Sequence, residues 1–270
     1  MFTKLLAYEI RSRFRADARS FGAFIVTIAV ASGIVAAGLP GISGSTAVLS
    51  YALCALTPVA CAIAAMADYW KTLYGQRGYF TMSLPISGAA IFWAKITRMV
   101  IECLLALALA VGGIIAVASA AAWSDGISLA EYTAGPRSVA AGLPTSTVVI
   151  MIVAQVIVAL SWLVQGSAVM SIGAQGRFNH LGFGAPIIGF VLVYIVNQVL
   201  STVGTFFVPL SVTTDGHFST EIMWTSYQAT LGTDGHPNVI GIGSYVLVPL
   251  FALAMGLWAS RSIEKHTSLR

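Results

Sequence analysis

Residues 68–86 read DYWKTLYGQRGYFTMSLPI. Two long apolar runs flank them, and the stretch is unlike either. Asp68, Lys71, Gln76 and Arg77 are interleaved with the aromatics Tyr69, Trp70, Tyr74, Tyr79 and Phe80, and Gly75, Gly78 and Pro85 punctuate the run. Charges and glycine breaks at this density are too costly in hydrocarbon. The stretch therefore marks a place where the chain leaves the lipid. One or two short helical turns, broken at glycine and lying on the membrane surface, satisfy it. There its rings are open to a soluble partner.

Outward from this stretch the composition is that of a membrane protein. Of 270 residues, 57% are hydrophobic and only 9% charged, whereas a soluble domain carries roughly 25% charged residues. Mean hydropathy is +0.86. A helical crossing takes about 20 apolar residues, and six such runs occur, at about 21–39, 46–67, 87–122, 145–172, 182–208 and 239–258. The expected fold class is an all-α membrane protein with six transmembrane helices across 21–258. The net charge of +4 reads as a topology signal and not as a nucleic-acid surface. Cys54, Cys61 and Cys103 lie inside apolar runs without metal-ligand spacing, which fits packing residues.

Residues 1–20 carry Lys4, Arg11, Arg13, Arg15 and Arg19, while Phe2, Leu5, Leu6, Ile10 and Phe14 form a loose stripe at helical spacing. That pattern predicts an amphipathic helix in the cytoplasmic interface. A signal-peptide n-region fits less well, because the apolar run that follows is long enough to span. Thr57-Pro58 in the second span predicts a bend, either lining a cavity or serving as a packing kink. On the third, Arg98 and Glu102 are four apart and able to pair. Lys95 and Arg98 are placed to snorkel to headgroups, the other reading being a proton or substrate relay through the Lys95, Arg98 and Glu102 cluster. Gln155 and Gln165 on the fourth span read as interhelical hydrogen-bond partners. Asn197 and Gln198 near the centre of the fifth are candidates to line a substrate path with Thr57 and Pro58, or to bond within the subunit. Loops 123–144 and 211–238 are external, and STEIMWTSYQATLG in the second is amphipathic enough for a short helix. Thr-Asp-Gly-His occurs at 214–217 and 233–236, as a metal site at the outer mouth or as two Asp-Gly turns. A basic tail closes the chain at 259–270.

Residues 74–87, YGQRGYFTMSLPIS, followed by the rest of SGAAIFWAKI at 87–96, resemble the permease subunits of type-2 ABC transporters. Many bacterial members carry a YG–acidic pair–GYLT–x–T/S–LPVS stretch at this place. Here the acidic pair is replaced by Gln76 and Arg77, a difference that bears on which ATPase is the partner. The resemblance in layout extends over essentially the whole chain. It implies a cytoplasmic coupling helix between spans 2 and 3, docking on an ATPase subunit through Tyr74, Gly75, Arg77, Gly78, Tyr79, Phe80, Thr81, Leu84 and Pro85. It also implies a connecting helix at the N-terminus and short external helices between the last two spans.

Charge sets the orientation. Thirteen of the fourteen Lys and Arg lie in 1–20, 68–98, 173–180 and the tail, and only Arg137 lies on the other side. Both termini and the coupling stretch are then cytoplasmic, and termini on one side imply an even number of spans, in agreement with six. No GxxxxGK[ST] phosphate loop is present, nor HExxH, GxSxG or SxxK in a usable place. The chain is therefore expected not to be an enzyme and to hold no cofactor, with ATP and Mg on the partner subunit. The function expected from the resemblance is that of a permease subunit in the bacterial plasma membrane. It would export an amphipathic or hydrophobic cargo, such as a drug, antimicrobial peptide or lipid, by alternating access. Its partners would be a P-loop ABC ATPase, as two copies or a pair, a second permease, identical or a paralogue, and membrane lipid. The alternative is an ion-coupled secondary transporter or channel, or a non-transporting anchor or sensor subunit. Against ion coupling, no acidic residue is placed mid-membrane and no inverted repeat is visible.

Overall fold

The computed structural model describes residues 2–75, 78, 86–176, 178, 184–232 and 235–265, with the side chains of 139, 140 and 265 aside. The chain is about 81% helical. Among the described residues the helices are α1 (Phe2–Ala36), α2 (Ser43–Leu73), α3 (Gly88–Ser124), α4 (Leu129–Tyr132), α5 (Ala134–Ala141), α6 (Thr145–Gly173), α7 (Gly184–Phe207), α8 (Met223–Thr230) and α9 (Ser244–Lys265). Six of them, α1, α2, α3, α6, α7 and α9, are long and apolar enough to cross a membrane. This is a multi-pass membrane protein, and the expectation of six long apolar helices holds.

Several boundaries differ from the sequence reading. The amphipathic segment 1–20 and the first span are one uninterrupted helix of 35 residues. No proline lies between them, so the change in polarity at residue 20 does not break the backbone. α2 runs on to Leu73, and Pro58 sits inside it without ending it. Residues 68–73 of the 68–86 stretch are thus the last turns of a long helix. α9 begins at Ser244, and the 239–243 part of the expected sixth span instead supplies strand β3 (Val239–Gly241). With β1 (Ser211–Thr213) and β2 (Phe218–Ser219) it makes an antiparallel sheet of order β2-β1-β3, absent from an all-α reading. The short helix expected within 211–238 is present as α8.

The chain divides into two compact units, Met1–Thr72 with Trp93–Ser138, and Leu73–Phe92 with Val139–Arg270. In the first, Ile28 of α1, Cys54 of α2 and Ala110 and Val117 of α3 form a core, with Phe24, Ala47 and Tyr51 against it. Gly113 lets α3 approach closely: a Cβ there would lie 2.7 Å from Cys54 Sγ. A second cluster joins Val35, Ala120 and Ala121, with Tyr132 of α4 on it. The Ser43 hydroxyl donates to Ile34 O at 3.1 Å across the α1–α2 turn.

In the second unit α6, α7 and α9 pack on one another. A Cβ on Gly189 of α7 would lie 2.6 Å from Cγ1 of Val169 on α6. At the far end of α7, a Cβ on Gly241 of β3 would collide with the Thr205 carbonyl. Only glycine lets that strand lie against the helix. Rings of Phe206 and Phe207 meet Trp224 and Tyr227 of α8 at centroid distances of 5.7–6.3 Å.

Candidate functional site

The most concentrated chemistry in the described residues lies among α1, α2 and α3 of the first unit. Positions 9, 13 and 17 on α1 are spaced by four and share one helix face, as do 95, 98 and 102 on α3. Those faces, together with Asp68 and Thr72 near the end of α2, meet in one ionic network. Lys95 Nζ donates to Glu9 Oε1 at 2.8 Å and to Thr72 Oγ1 at 3.0 Å. Arg98 donates through Nη1 to Glu102 Oε1 and through Nη2 to Asp68 Oδ2 at 3.1 Å, and its Nε lies 3.8 Å from Glu9 Oε2. Arg13 Nη1 donates to the other Asp68 oxygen at 3.2 Å, and Nη2 is 3.6 Å from Asp17 Oδ1.

Lys95 and Arg98 are only 2% and 1% exposed. They do not snorkel as the sequence led us to expect, but are held inside the helix packing by ion pairs. Removing an ion from water costs several kcal/mol even after relaxation, and a dense set of partners offsets that cost. Arg98 meets three carboxylates because its planar fork presents five donors. The network holds four carboxylates, Glu9, Asp17, Asp68 and Glu102, against three cations, Arg13, Lys95 and Arg98. Counted with every group ionised, it sums to one net negative charge.

A cavity of about 480 Å³ opens beside this network, lined by Arg13 and Asp17, by α1 and α2 side chains including Phe24, Thr57 and Cys61, and by Glu102. It is ionic at one end and apolar along its length. Among the described residues no group of three or more His, Cys, Asp or Glu side chains has a metal-binding placement.

The residues singled out from sequence are distributed as follows. Thr57 lines the cavity, half-buried, with its hydroxyl donating to Leu53 O at 2.7 Å, and Pro58 follows it inside α2. Asn197 is buried in the second unit and paired with Gln165. Each amide donates to the other, Asn197 Nδ2 also donates to Val193 O at 2.9 Å, and Gln165 Nε2 reaches Val248 O at 3.4 Å. Gln198 is exposed and donates to Tyr194 Oη at 3.0 Å. The two adjacent amides thus lie on different faces. Gln155 accepts from Tyr245 Oη at 3.0 Å.

Tyr74 follows the end of α2, and the Gly78 N–H donates to Gly75 O at 2.8 Å. Arg77, Tyr79, Phe80, Thr81, Leu84 and Pro85, along with Gln76, lie outside the described residues. On the far side of the stretch, a Cβ on Gly88 would lie 2.8 Å from Glu264 N, so the first turn of α3 sits directly on the α9 backbone.

The first Thr-Asp-Gly-His tetrad forms the turn between β1 and β2. Gly216 has φ +80° and donates its N–H to Thr213 O at 2.9 Å, and the Thr213 N–H donates to His217 O at 2.9 Å. Part of the second tetrad, 233–234, lies outside the described residues.

Sequence reasoning paired Arg98 with Glu102 but missed Glu9 and Asp68 as further partners of Arg98, and Arg13 and Asp17 as members of the same network. The four-residue spacing of 9, 13 and 17 was the available signal. No family model matches the chain, no curated protein matches it, and no solved structure matches it.

Proposed function

We propose that this chain is the transmembrane permease subunit of an ATP-driven ABC exporter in the bacterial plasma membrane. In this reading a separate ATPase docks on residues 74–85 and moves the helices that flank them. The observation that carries it is the sequence 74–87, whose glycine, aromatic and Leu-Pro order is that of a type-2 ABC permease coupling stretch. Its place between two spanning helices supports the reading, since motion of the stretch acts directly on α2 and α3. Charge supports the cytoplasmic assignment of both termini and of this stretch. Leaving out Arg13, Lys95 and Arg98, whose ion pairs give them a structural role, ten of the remaining eleven Lys and Arg still lie on one side. A second copy or a paralogous permease completes the path, and ATP and Mg bind the partner ATPase.

Tyr79→Asp and Phe80→Asp test this. Aromatic anchors at an interface are commonly worth about 2 kcal/mol or more, roughly thirtyfold in affinity. Each variant is expected to insert and to pair with its permease partner, but to lose the ATPase in a pull-down from detergent or to uncouple its hydrolysis. Retention of the ATPase and of cargo-stimulated hydrolysis by both variants removes the coupling role from this stretch.

One observation favours a second reading, an ion-coupled transporter. Glu9, Asp68 and Glu102 are carboxylates on α1, α2 and α3, and intramembrane carboxylates commonly serve ion relays. Transport in proteoliposomes driven by a proton gradient without an ATPase selects it.

A further inference from the structure

The cavity beside the ionic network has the shape and charge of a binding site. On α1 its lining runs Arg13, Asp17, Phe21, Phe24 and Thr27, a single helical stripe. From Arg13 to Thr27 that stripe is about 21 Å long at 1.5 Å per residue. α2 runs antiparallel to it, since Asp68 meets Arg13 while Cys54 packs with Ile28. It adds Ala64 and Cys61 toward the ionic end and Leu53 toward the apolar end.

The ionic end is short of positive charge. Arg13 is shared between Asp68 and Asp17, and among the described residues Asp17 makes its ion pair through that 3.6 Å contact alone. Glu102 uses Oε1 for Arg98 and lines the cavity together with Asp17. Two carboxyls therefore line the cavity beside one lining guanidinium, Arg13, which is shared with Asp68, while Arg98 is held behind Glu102 and divided among three carboxylates. A net negative charge beside low-dielectric walls attracts a cation far more strongly than it would in water. An anionic head would face both carboxylates, and a neutral one would leave the imbalance in place.

We propose that this cavity binds an ammonium-headed amphiphile, with its head at Asp17 and Glu102 and its tail along Phe21, Phe24 and Leu53. The same chemistry is offered by a free cationic amphiphile and by an amine-headed phospholipid. As a cargo site the inference rests on the exporter reading; as a binding site it stands on the cavity alone.

Cys61 lines the cavity and reports its occupancy. In a Cys54→Ala/Cys103→Ser variant it is the remaining thiol, and its alkylation by N-ethylmaleimide is timed in phosphatidylglycerol nanodiscs. Dodecylamine at ten times its Kd is expected to slow labelling about tenfold by mass action. Dodecanol and dodecanoate, with the same tail, are expected to leave the rate unchanged. Asp17→Asn, which keeps the Arg98–Glu102 pair, is expected to abolish the protection, and Glu102→Gln to weaken it. If phosphatidylethanolamine in the disc slows labelling by itself and dodecylamine adds nothing, the ligand is the lipid; if not, it is the free amphiphile. Equal protection by all three heads, no protection by dodecylamine, or full protection in a folded Asp17→Asn variant overturns the proposal. No ATPase enters the experiment, so its failure leaves the exporter reading standing. Loss of the coupling role at Tyr79 and Phe80 would likewise leave the binding result intact.

Discussion

The two units solve the same problem with different chemistry. Each places polar side chains inside a bundle whose outer faces are apolar. The first unit uses full charges, seven of them in one network on α1, α2 and α3. The second uses neutral groups: the Gln165–Asn197 amide pair, and Gln175 donating to the Ser262 hydroxyl at 2.7 Å, which donates on to Ser171 O at 3.3 Å. A neutral group that loses its partner forfeits one hydrogen bond. A buried ion that loses its partner becomes an uncompensated charge, which is several times worse. The first unit should therefore tolerate almost no single change at its polar centre, and the second should tolerate many.

The largest effect is expected at Arg98. Arg98→Leu strands Glu102 and leaves Asp68 and Glu9 each with one cation fewer. Breaking a buried ion pair commonly costs about 3–5 kcal/mol, and this network should fall at the upper end. The expected outcome is poor accumulation of folded protein and a large drop in the thermal midpoint in detergent. Lys95→Met should cost less, because Glu9 keeps Arg98 Nε at 3.8 Å. Adding Glu9→Gln to Lys95→Met should recover part of the loss, as replacing both partners of a buried pair is often close to neutral. A double variant worse than the sum of its singles would mean that the network is not held together by these pairs.

Next in size are the helix contacts, where each unit has a glycine to probe. Gly113→Ala would set a methyl 2.7 Å from Cys54 Sγ, and Gly189→Ala one 2.6 Å from Val169 Cγ1. Overpacking costs about 1–3 kcal/mol, reduced by about 0.5–1 kcal/mol for alanine over glycine in a helix. Both variants should lower the midpoint by similar amounts. Cys54→Ala should rescue Gly113→Ala, and Val169→Ala should rescue Gly189→Ala. Rescue in one unit alone would show that the helices of the other part under strain.

The six spans were legible because each depends on one property, a run of apolar residues long enough for lipid. The ionic centre was not, because it depends on which helix faces meet. On α1, Phe2, Ile10 and Phe14 of the apolar stripe are exposed, while Leu5 and Glu9 are buried and Leu6, Arg13 and Asp17 are half-buried. Asp68 looked like a surface residue because it opens a polar stretch, but α2 continues through it and carries it to Arg98. The sheet was missed for a related reason. Val239 and Ile240 extend an apolar run, and only the glycines at 241 and 243, both closely packed on the end of α7, mark that segment as extended.

The smallest effects, and the sharpest comparison, are expected at two adjacent amides. Asn197 is 4% exposed and bonded to Gln165 and to Val193 O. Asn197→Leu removes those bonds and leaves Gln165 its contact with Val248 O. Interhelical hydrogen bonds in membrane proteins measure about 0.6 kcal/mol on average and reach about 1.7 kcal/mol. The variant should lose stability in that range, and Gln165→Leu added to it should cost little more. A loss as large as that of Arg98→Leu would erase the distinction between the units. Gln198, one position on, is exposed, with Tyr194 Oη for a partner. Its substitution has a sign as well as a size. If that face meets lipid, Gln198→Leu removes a desolvated amide and raises the midpoint. If it meets water or a second permease, the midpoint stays level or falls while transport changes. The pair of midpoints, read beside transport, thus separates a residue that holds the bundle together from one that faces out of it.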